Sequence, residues 1–253
     1  MLIREQIRDD VVQLQLDRPP VNALTGELLD QLRSRLNELG SARAVVICGR
    51  EGIFSAGLDL PHLLSLDRDG MLAFWRSFYR ALEALARCPV PLGVAITGHN
   101  PAGGTVLSLF ADFRIAAEGD FKLGLNEVQV GLPMPALVYR AYERLLGPRL
   151  AARHAVSGTL FVPSAALAAG LVDELAPADR VIAHSMAWAQ KLAQFPRAAL
   201  DATRAVARAE LIGLFDRVDD SAYEELNQAW FRPEVRGALE AFVAQILHPK
   251  ENR

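Results

Sequence analysis

Two glycine-containing segments have residue types that suit catalysis, and each follows an apolar run. Residues 54–59 read Phe-Ser-Ala-Gly-Leu-Asp, and residues 98–104 read Gly-His-Asn-Pro-Ala-Gly-Gly. Glycine lets a backbone approach a ligand closely, and the first turn of a helix has N–H groups without partners. Two such turns can together donate hydrogen bonds to one oxygen, as an oxyanion hole does. Each pattern alone also fits an ordinary turn between a strand and a loop.

A candidate acid/base, Glu127, lies in a third segment. Residues 124–131 read Gly-Leu-Asn-Glu-Val-Gln-Val-Gly. The neighbours of this glutamate in sequence are largely apolar: Leu125, Val128, Val130 and Leu132. An apolar pocket would raise the pKa of the carboxyl toward the ~6–7 that suits a proton carrier. Taken alone, Glu127 fits a surface or salt-bridged glutamate at a strand end better.

Other polar residues near these segments favour structural roles. His62 and His99 flank the two glycine turns and are expected to be exposed loop side chains. Asp59 is expected to cap or brace its turn. A hydrolase triad drawn from Ser55, Ser108, Asp112 and His154 is not supported, because the chain has no Gly-x-Ser-x-Gly motif.

The composition favours a globular protein that acts on a small molecule. Of the 253 residues, 51% are hydrophobic, which is enough for a sizeable core, and the net charge of -3 comes without a basic run. This charge pattern argues against binding to nucleic acid or to an anionic membrane surface. Cys48 and Cys88 are predicted to be reduced, outside any disulfide or metal cluster. With no apolar leader and no run of ~18 apolar residues, the chain is expected to be cytoplasmic.

Apolar periodicity predicts the elements that position these residues. A hairpin is predicted around residues 8–10, and Thr25 is a plausible N-cap for the helix that follows. The predicted order is strand, strand, helix, repeated, and then a mostly helical region after Pro135. Further strands are predicted near residues 44–48, 92–96, 113–116, 121–123 and 171–175, and helices near 71–88 and 103–110. The sequence therefore predicts an α/β core over residues 1–195 and a helical C-terminal region over residues 196–253.

In this order, the three segments and Asp112 resemble the landmarks of the enoyl-CoA hydratase/isomerase (crotonase) superfamily. The resemblance extends from residues 18–24, Arg-Pro-Pro-Val-Asn-Ala-Leu, to the C-terminal helices. It implies a ClpP/crotonase-like spiral of ββα units, with a helical C-terminal region that assembles a homotrimer or hexamer. It also implies a bent acyl-CoA thioester as substrate, no metal, and no cofactor beyond the coenzyme A of that substrate.

The resemblance also implies roles for individual residues. The backbone N–H groups of Leu58 and Gly103 match the family's oxyanion donors. The residues that match positions near the coenzyme A are Val21, Asn22, Ala23, Ala56, Gly57, Asp59, Leu60, Gly104 and Phe242. In the family, the phenylalanine at the last of these positions approaches the coenzyme A of a neighbouring subunit, together with a lysine that is Gln245 here. The helix that contains residues 71–80 fits a core helix and also the wall of an acyl-chain tunnel.

One position separates the reactions of this superfamily. Its hydratases hold water between two glutamates, and the first of these positions is Val106, which cannot bind or activate water. The second falls on Glu127. One carboxylate suffices to move a proton from C2 to C4 of a thioester enolate, which is the chemistry of a Δ3,Δ2-enoyl-CoA isomerase. The amino-acid sequence of residues 100–104 and 124–129 also resembles the mitochondrial-type isomerase branch.

Two alternatives remain open at the level of sequence. A carboxylate from another position would permit hydration or another reaction of the superfamily. Loss of the first glutamate would also permit a non-catalytic homologue that binds CoA esters. Water-dependent formation of a 3-hydroxyacyl-CoA would indicate the first, and binding without turnover would indicate the second.

Overall fold

The computed structural model describes residues 2–247. The strands in this range are β1 (Ile3–Arg8), β2 (Val11–Leu16), β3 (Ala44–Cys48), β4 (Gly52–Ile53), β5 (Leu92–Ile96), β6 (Gly98–Pro101), β7 (Phe113–Ala117), β8 (Leu123–Gly124), β9 (Leu160–Phe161) and β10 (Glu174–Ala176). The helices are α1 (Gly26–Asn37), α2 (Leu60–Leu64), α3 (Arg68–Ala86), α4 (Gly103–Leu109), α5 (Ala136–Ser157), α6 (Pro163–Ala168), α7 (Val181–Ala193), α8 (Arg197–Gly213), α9 (Asp220–Trp230) and α10 (Pro233–Leu247). Short 3-10 turns lie at Glu127–Val130 and Leu214–Arg217.

The first two strands form the predicted hairpin. β1 and β2 are antiparallel, and Arg8 pairs with Val11 across the turn. Asp9 and Asp10 have φ angles of 48° and 62°. A two-residue turn with both φ angles positive matches the right-handed twist of the strands, and aspartate tolerates this conformation better than most residues.

A six-stranded sheet forms the centre of the molecule. Its order is β1-β2-β3-β5-β7-β10, and all pairs except β1–β2 are parallel. Every residue of β3, β5 and β7 is buried, as expected for parallel strands that are covered on both faces. Val45 and Ile47 belong to the main core, with residues of α1 and α3, whereas Val46 belongs to a second core with α7.

A second sheet of four short strands, β4-β6-β8-β9, lies at the end of the first. In the repeated ββα units after the hairpin, the first strand joins the large sheet and the second joins this small sheet. The sequence predicts turns at residues 54–59 and 98–104, and it predicts neither β4 nor β6. Strands of two to four residues are too short to show a period of two, so their pattern is indistinguishable from a loop. The predicted ββα spiral is confirmed.

The small sheet brings the candidate site residues together. β4 is parallel to β6, and β6 is parallel to β8. The carboxyl ends of parallel strands lie at the same edge of a sheet. The two glycine turns and the segment that contains Glu127 follow these three strands, so they begin at one edge.

Several predicted boundaries are confirmed, and others shift by a few residues. The N–H of Leu28 donates to the predicted N-cap hydroxyl of Thr25 at 3.4 Å. α3 begins three residues before the predicted start because Asp67 caps it, accepting from the Gly70 N–H at 2.8 Å. The predicted breaks are also present: α5 is kinked at Gly147, and α7 and α8 are separated at residues 194–196.

The C-terminal helices dock on the core through a buried ion-pair cluster. Arg204 and Arg208 of α8 bind the Asp112 carboxylate at 2.8 and 2.6 Å. The Arg208 guanidinium also donates to the carbonyls of Leu85, Ala86 and Phe110 at the ends of α3 and α4. The division at residue 195 lies between α7 and α8, and it stays a prediction. No helix within residues 2–247 is both long and apolar enough to cross a membrane.

We expect Arg208→Met to lower the free energy of unfolding by about 3 kcal/mol or more, because it leaves buried carbonyls and a carboxylate with fewer donors. Arg197 on the same helix makes an exposed pair with Asp201, so Arg197→Met should cost less than about 1 kcal/mol. Denaturant unfolding of both variants checks this. Equal losses would contradict the assignment of Arg208 as the docking residue.

Candidate active site

A cavity of about 720 Å³ opens at the edge of the small sheet. Its wall includes the two glycine turns, the segment that contains Glu127, and parts of four helices. The residues of α3, α5, α9 and α10 in this wall are Trp75, Phe78, Val138, Leu226, Ala229, Trp230, Phe242, Val243 and Ile246. The cavity therefore offers a largely apolar environment with a small number of polar groups, as small-molecule sites do.

The two glycine turns pack directly against each other. A methyl group on Gly57 would lie 3.2 Å from the backbone nitrogen of Gly103 and 3.2 Å from the Ala102 Cβ. Gly57 also has a φ angle of 87°, which side-chain-bearing residues rarely adopt. A methyl group on Gly103 would lie 3.3 Å from a methyl carbon of Leu58. Only glycine at these positions lets the two backbones approach this closely.

The amides of Leu58 and Gly103 are free to bind one ligand oxygen. Leu24 forms a β-bridge to Leu58: the Leu24 N–H donates to the Gly57 carbonyl at 2.7 Å, and the Asp59 N–H donates to the Leu24 carbonyl at 3.0 Å. Among the hydrogen bonds of the described residues, none is donated by the N–H of Leu58 or of Gly103. Both residues line the cavity, so both amides are available to the predicted oxyanion hole.

The residue between β6 and α4 holds a strained backbone. Ala102 has a φ angle of 47°, and its N–H donates to the Gly124 carbonyl at 2.8 Å. A positive φ is costly for alanine and persists only where the surrounding structure enforces it. This turn places the first amide of α4 at the cavity.

Glu127 lies in the cavity wall, at the first residue of its 3-10 turn. Burial raises the pKa of its carboxyl from an ordinary value of 4.5 to about 7. One carboxylate oxygen is buried without a hydrogen-bond partner among the described residues. Leu125 and Val130 are buried nearby, as expected, but Val128 is 51% exposed, because successive side chains of a 3-10 turn point to different sides. The predicted apolar surroundings are otherwise confirmed.

The position that holds the first glutamate in hydratases is apolar. Val106 lies on α4 and is 2% exposed, in the wall of the same cavity as Glu127. Of the described residues in that wall, only Asp59 and Glu127 carry carboxylates. Asp59 is paired with Arg18 at 2.5 Å and caps α2 by accepting from the His62 N–H at 3.2 Å. Glu127 is therefore the carboxylate free to exchange a proton in the described part of the wall.

The residues predicted near coenzyme A divide into two groups. Those in the cavity wall are Val21, Ala23, Ala56, Asp59, Leu60 and Phe242. Asn22, Gly57 and Gly104 do not line the cavity and instead support it. The Asn22 side chain is fully buried and bonds to Leu16, Arg18 and Phe54. A methyl group on Gly104 would lie 2.3 Å from an Asn100 side-chain oxygen, so this glycine permits close packing behind the turn.

The C-terminal helices contribute more of the site than the sequence indicated. Phe242 lies in the cavity wall of its own chain, whereas the family resemblance placed the corresponding contact at a neighbouring subunit. α10 packs closely on the 3-10 turn, since a methyl group on Gly131 would lie 2.6 Å from the Ala238 Cβ. The sequence did not indicate Trp230 of α9. Its ring packs edge-on against that of Trp75, with 6.0 Å between the ring centroids. The aromatic helix at residues 71–80 and Phe242 were the parts of this wall that the sequence indicated.

The remaining polar candidates lie outside the cavity wall. His62 lines a separate hollow of about 490 Å³. The His99 ring accepts from the Lys122 N–H at 3.2 Å and packs edge-on against Phe121. Ser55, Ser108 and His154 bond to Asn22, Thr105 and Thr159, while Asp112 holds the two arginines of α8. These contacts give no support to a hydrolase triad.

Glu127→Gln should raise the free energy of unfolding at alkaline pH. Because the folded state raises this pKa, ionisation opposes folding as pH rises from 4.5 to about 7. The gain should be on the order of 3 kcal/mol near pH 8 and should vanish below about pH 4. Urea unfolding across this range measures it, with the exposed Glu118→Gln as control. A difference in the free energy of unfolding between wild type and Glu127→Gln that does not change with pH would contradict the burial of Glu127.

Comparisons with known proteins agree with this geometry. The family model "Enoyl-CoA hydratase/isomerase" matches residues 6–223. Human "Enoyl-CoA delta isomerase 1, mitochondrial" is 32% identical over 255 residues, covering 99% of this chain and 84% of that protein. "Probable enoyl-CoA hydratase EchA17" of Mycobacterium tuberculosis is 34% identical over 198 residues, covering 77% of this chain and 76% of that protein.

The fold agrees as well. The crystal structure of human mitochondrial delta3-delta2-enoyl-CoA isomerase superposes with a TM-score of 0.94 at 27% identity, covering 99% of this chain and 100% of that one. The ββα spiral, the paired glycine turns and the family match lead to one conclusion. The chain belongs to the enoyl-CoA hydratase/isomerase family.

Proposed function

We propose that the protein is a Δ3,Δ2-enoyl-CoA isomerase that converts a 3-enoyl-CoA to a trans-2-enoyl-CoA. Among the described residues of the cavity wall, Glu127 is the one carboxylate without an ion-pair partner, and the amides of Leu58 and Gly103 in that wall donate no hydrogen bond; this observation carries the proposal. Val106 supports the same reaction, because the position that would hold the water-binding glutamate of a hydratase is a buried aliphatic side chain.

The proposed reaction moves one proton in two steps. The thioester oxygen accepts hydrogen bonds from the two amides, which favours negative charge on that oxygen. The Glu127 carboxylate takes a proton from C2, and the electrons of that C–H bond form a dienolate that extends from the thioester oxygen to C4. The carboxylic acid then returns the proton to C4, leaving a double bond between C2 and C3. A pKa of about 7 suits both steps, because the same group must accept and release a proton.

Two further features of the cavity suit this substrate. The apolar walls from α3, α9 and α10 would accommodate an acyl chain. They also exclude water, which strengthens the hydrogen bonds to the thioester oxygen. The reaction changes no oxidation state, so its chemistry requires no redox cofactor, and in this proposal the two amides polarise the thioester oxygen. Coenzyme A enters as part of the substrate.

The names of the relatives include both reactions, and those that cover nearly the whole chain favour isomerisation. The human relative and the human crystal structure quoted above are named as isomerases and cover nearly the whole chain. The mycobacterial relative is named as a probable hydratase and matches a shorter part. The human protein's name places that protein in mitochondria. Assembly as a homotrimer or hexamer and a cytoplasmic location stay predictions.

We expect the purified protein to convert 3-hexenoyl-CoA to trans-2-hexenoyl-CoA. The absorbance of the product, in which the double bond is conjugated with the thioester, measures this conversion. Glu127→Gln should lower kcat by roughly 100-fold to 10,000-fold, because it removes the proton carrier. Leu66→Ala, outside the main cavity, serves as a control for handling of the variant protein. Isomerase activity that survives Glu127→Gln would refute the mechanism.

The pH dependence provides a separate check. Only the ionised carboxylate takes the C2 proton, so kcat/KM should rise with pH and level off above about 7, the pKa of Glu127. A profile that is flat from pH 5 to about pH 8 would contradict Glu127 as the base.

The alternatives have distinct outcomes in the same assays. Formation of 3-hydroxyhexanoyl-CoA from trans-2-hexenoyl-CoA would indicate a hydratase, as the mycobacterial relative's name suggests. Binding of acyl-CoA, measured by calorimetry, without conversion of either substrate would indicate a non-catalytic homologue.

A further inference from the structure

A buried threonine behind the oxyanion turn links two segments of the site. Thr105 is 1% exposed and lies on the first turn of α4. Its hydroxyl donates a hydrogen bond to the Asn100 carbonyl. The same hydroxyl accepts a hydrogen bond from the Gly124 N–H at 2.9 Å. One side chain thus connects β6 to β8.

The two strands joined in this way lead to different parts of the catalytic apparatus. Asn100 precedes the oxyanion donor Gly103 by three residues, and Gly124 precedes Glu127 by three residues. The Gly124 carbonyl is also held from this side, by the Ala102 N–H at 2.8 Å. Both backbone groups of Gly124 are therefore bound to the start of α4.

Thr105 itself is not in the cavity wall, whereas its chain neighbours Gly103 and Val106 are. Its side chain faces the small sheet and would not touch a substrate. Any effect of this hydroxyl on the reaction must therefore act through the positions of other groups.

We propose that Thr105 is a positioning residue that fixes the distance between the oxyanion amides and the Glu127 carboxylate. This inference rests on the proposed function, because it concerns the geometry of the same proton transfer. The carboxylate must reach both C2 and C4 while the thioester oxygen stays at the amides. A shift of about 1 Å between such groups can lower a rate on the order of 100-fold.

Thr105→Val tests this role with little change in shape. The variant keeps the branched side chain but removes the acceptor of the Gly124 N–H and the donor to Asn100. We expect kcat to fall by roughly 10-fold to 100-fold, with KM within about 3-fold of wild type, because Thr105 does not contact the cavity. Thr105→Ser keeps the hydroxyl and should retain most of kcat.

A matched control is available on the preceding strand connection. Thr97 is 3% exposed, and its hydroxyl donates to the Ile53 carbonyl at 3.1 Å, but it has no hydrogen bond to the segment that contains Glu127 among the described residues. Thr97→Val removes a buried hydroxyl of the same kind. If Thr97→Val lowers kcat as much as Thr105→Val does, or if Thr105→Val leaves kcat unchanged, the proposal is wrong.

Hydrogen–deuterium exchange separates this proposal from the proposed function. In Thr105→Val, exchange should speed up in peptides that contain residues 123–131, and it should not in Thr97→Val or Thr105→Ser. This readout needs no substrate. Faster exchange in a protein without isomerase activity would retain the positioning role and refute the reaction, whereas unchanged exchange would refute the positioning role alone.

Discussion

The close approach of two backbone turns is the contact on which the rest of the site depends. Gly57 and Gly103 leave room for the turns to meet, and the β-bridge between Leu24 and Leu58 holds the turn at residues 54–59 in place. This packing leaves two amides free at one point of the cavity. The two proposed donors are backbone groups, so the apolar Leu58 can occupy a position that matters for its N–H.

Desolvation is the second requirement, and it comes from a distant part of the chain. The pKa of Glu127 is raised by burial, and α9 and α10 supply much of the apolar wall around the cavity. These helices follow α8, which the Asp112 cluster ties to the ends of α3 and α4. A structural ion pair remote from the chemistry thereby connects to the surroundings of the proposed base.

The described part of the cavity wall has no second free carboxylate, and this favours a reaction that needs only one. A valine at position 106 adds apolar surface to the cavity wall to which Glu127 also belongs, whereas a glutamate there would bring water and a second charge. Valine in place of glutamate at position 106 therefore disfavours hydration, and it favours the burial of Glu127 that the proposed isomerisation needs. Asp59, the remaining carboxylate of the wall, is held by Arg18 and by the start of α2.

The sequence by itself determined the order of the landmarks, the helix cap at Thr25, the breaks between helices, and the combination of Glu127 with Val106. These features are local, or they lie at fixed spacing within one segment. The family relationship was also readable there, because four motifs in order are far more specific than any one.

Only the tertiary structure decided which walls enclose Glu127. The small sheet escaped sequence reasoning because its strands have two to four residues, and pairing between such strands uses backbone groups that every residue has. Trp230 lines the same cavity as the proposed base Glu127, which lies about a hundred residues earlier in the chain, and Arg204 binds Asp112 across 92 residues. Contacts at such separations leave no local pattern, because each depends on how the whole chain packs.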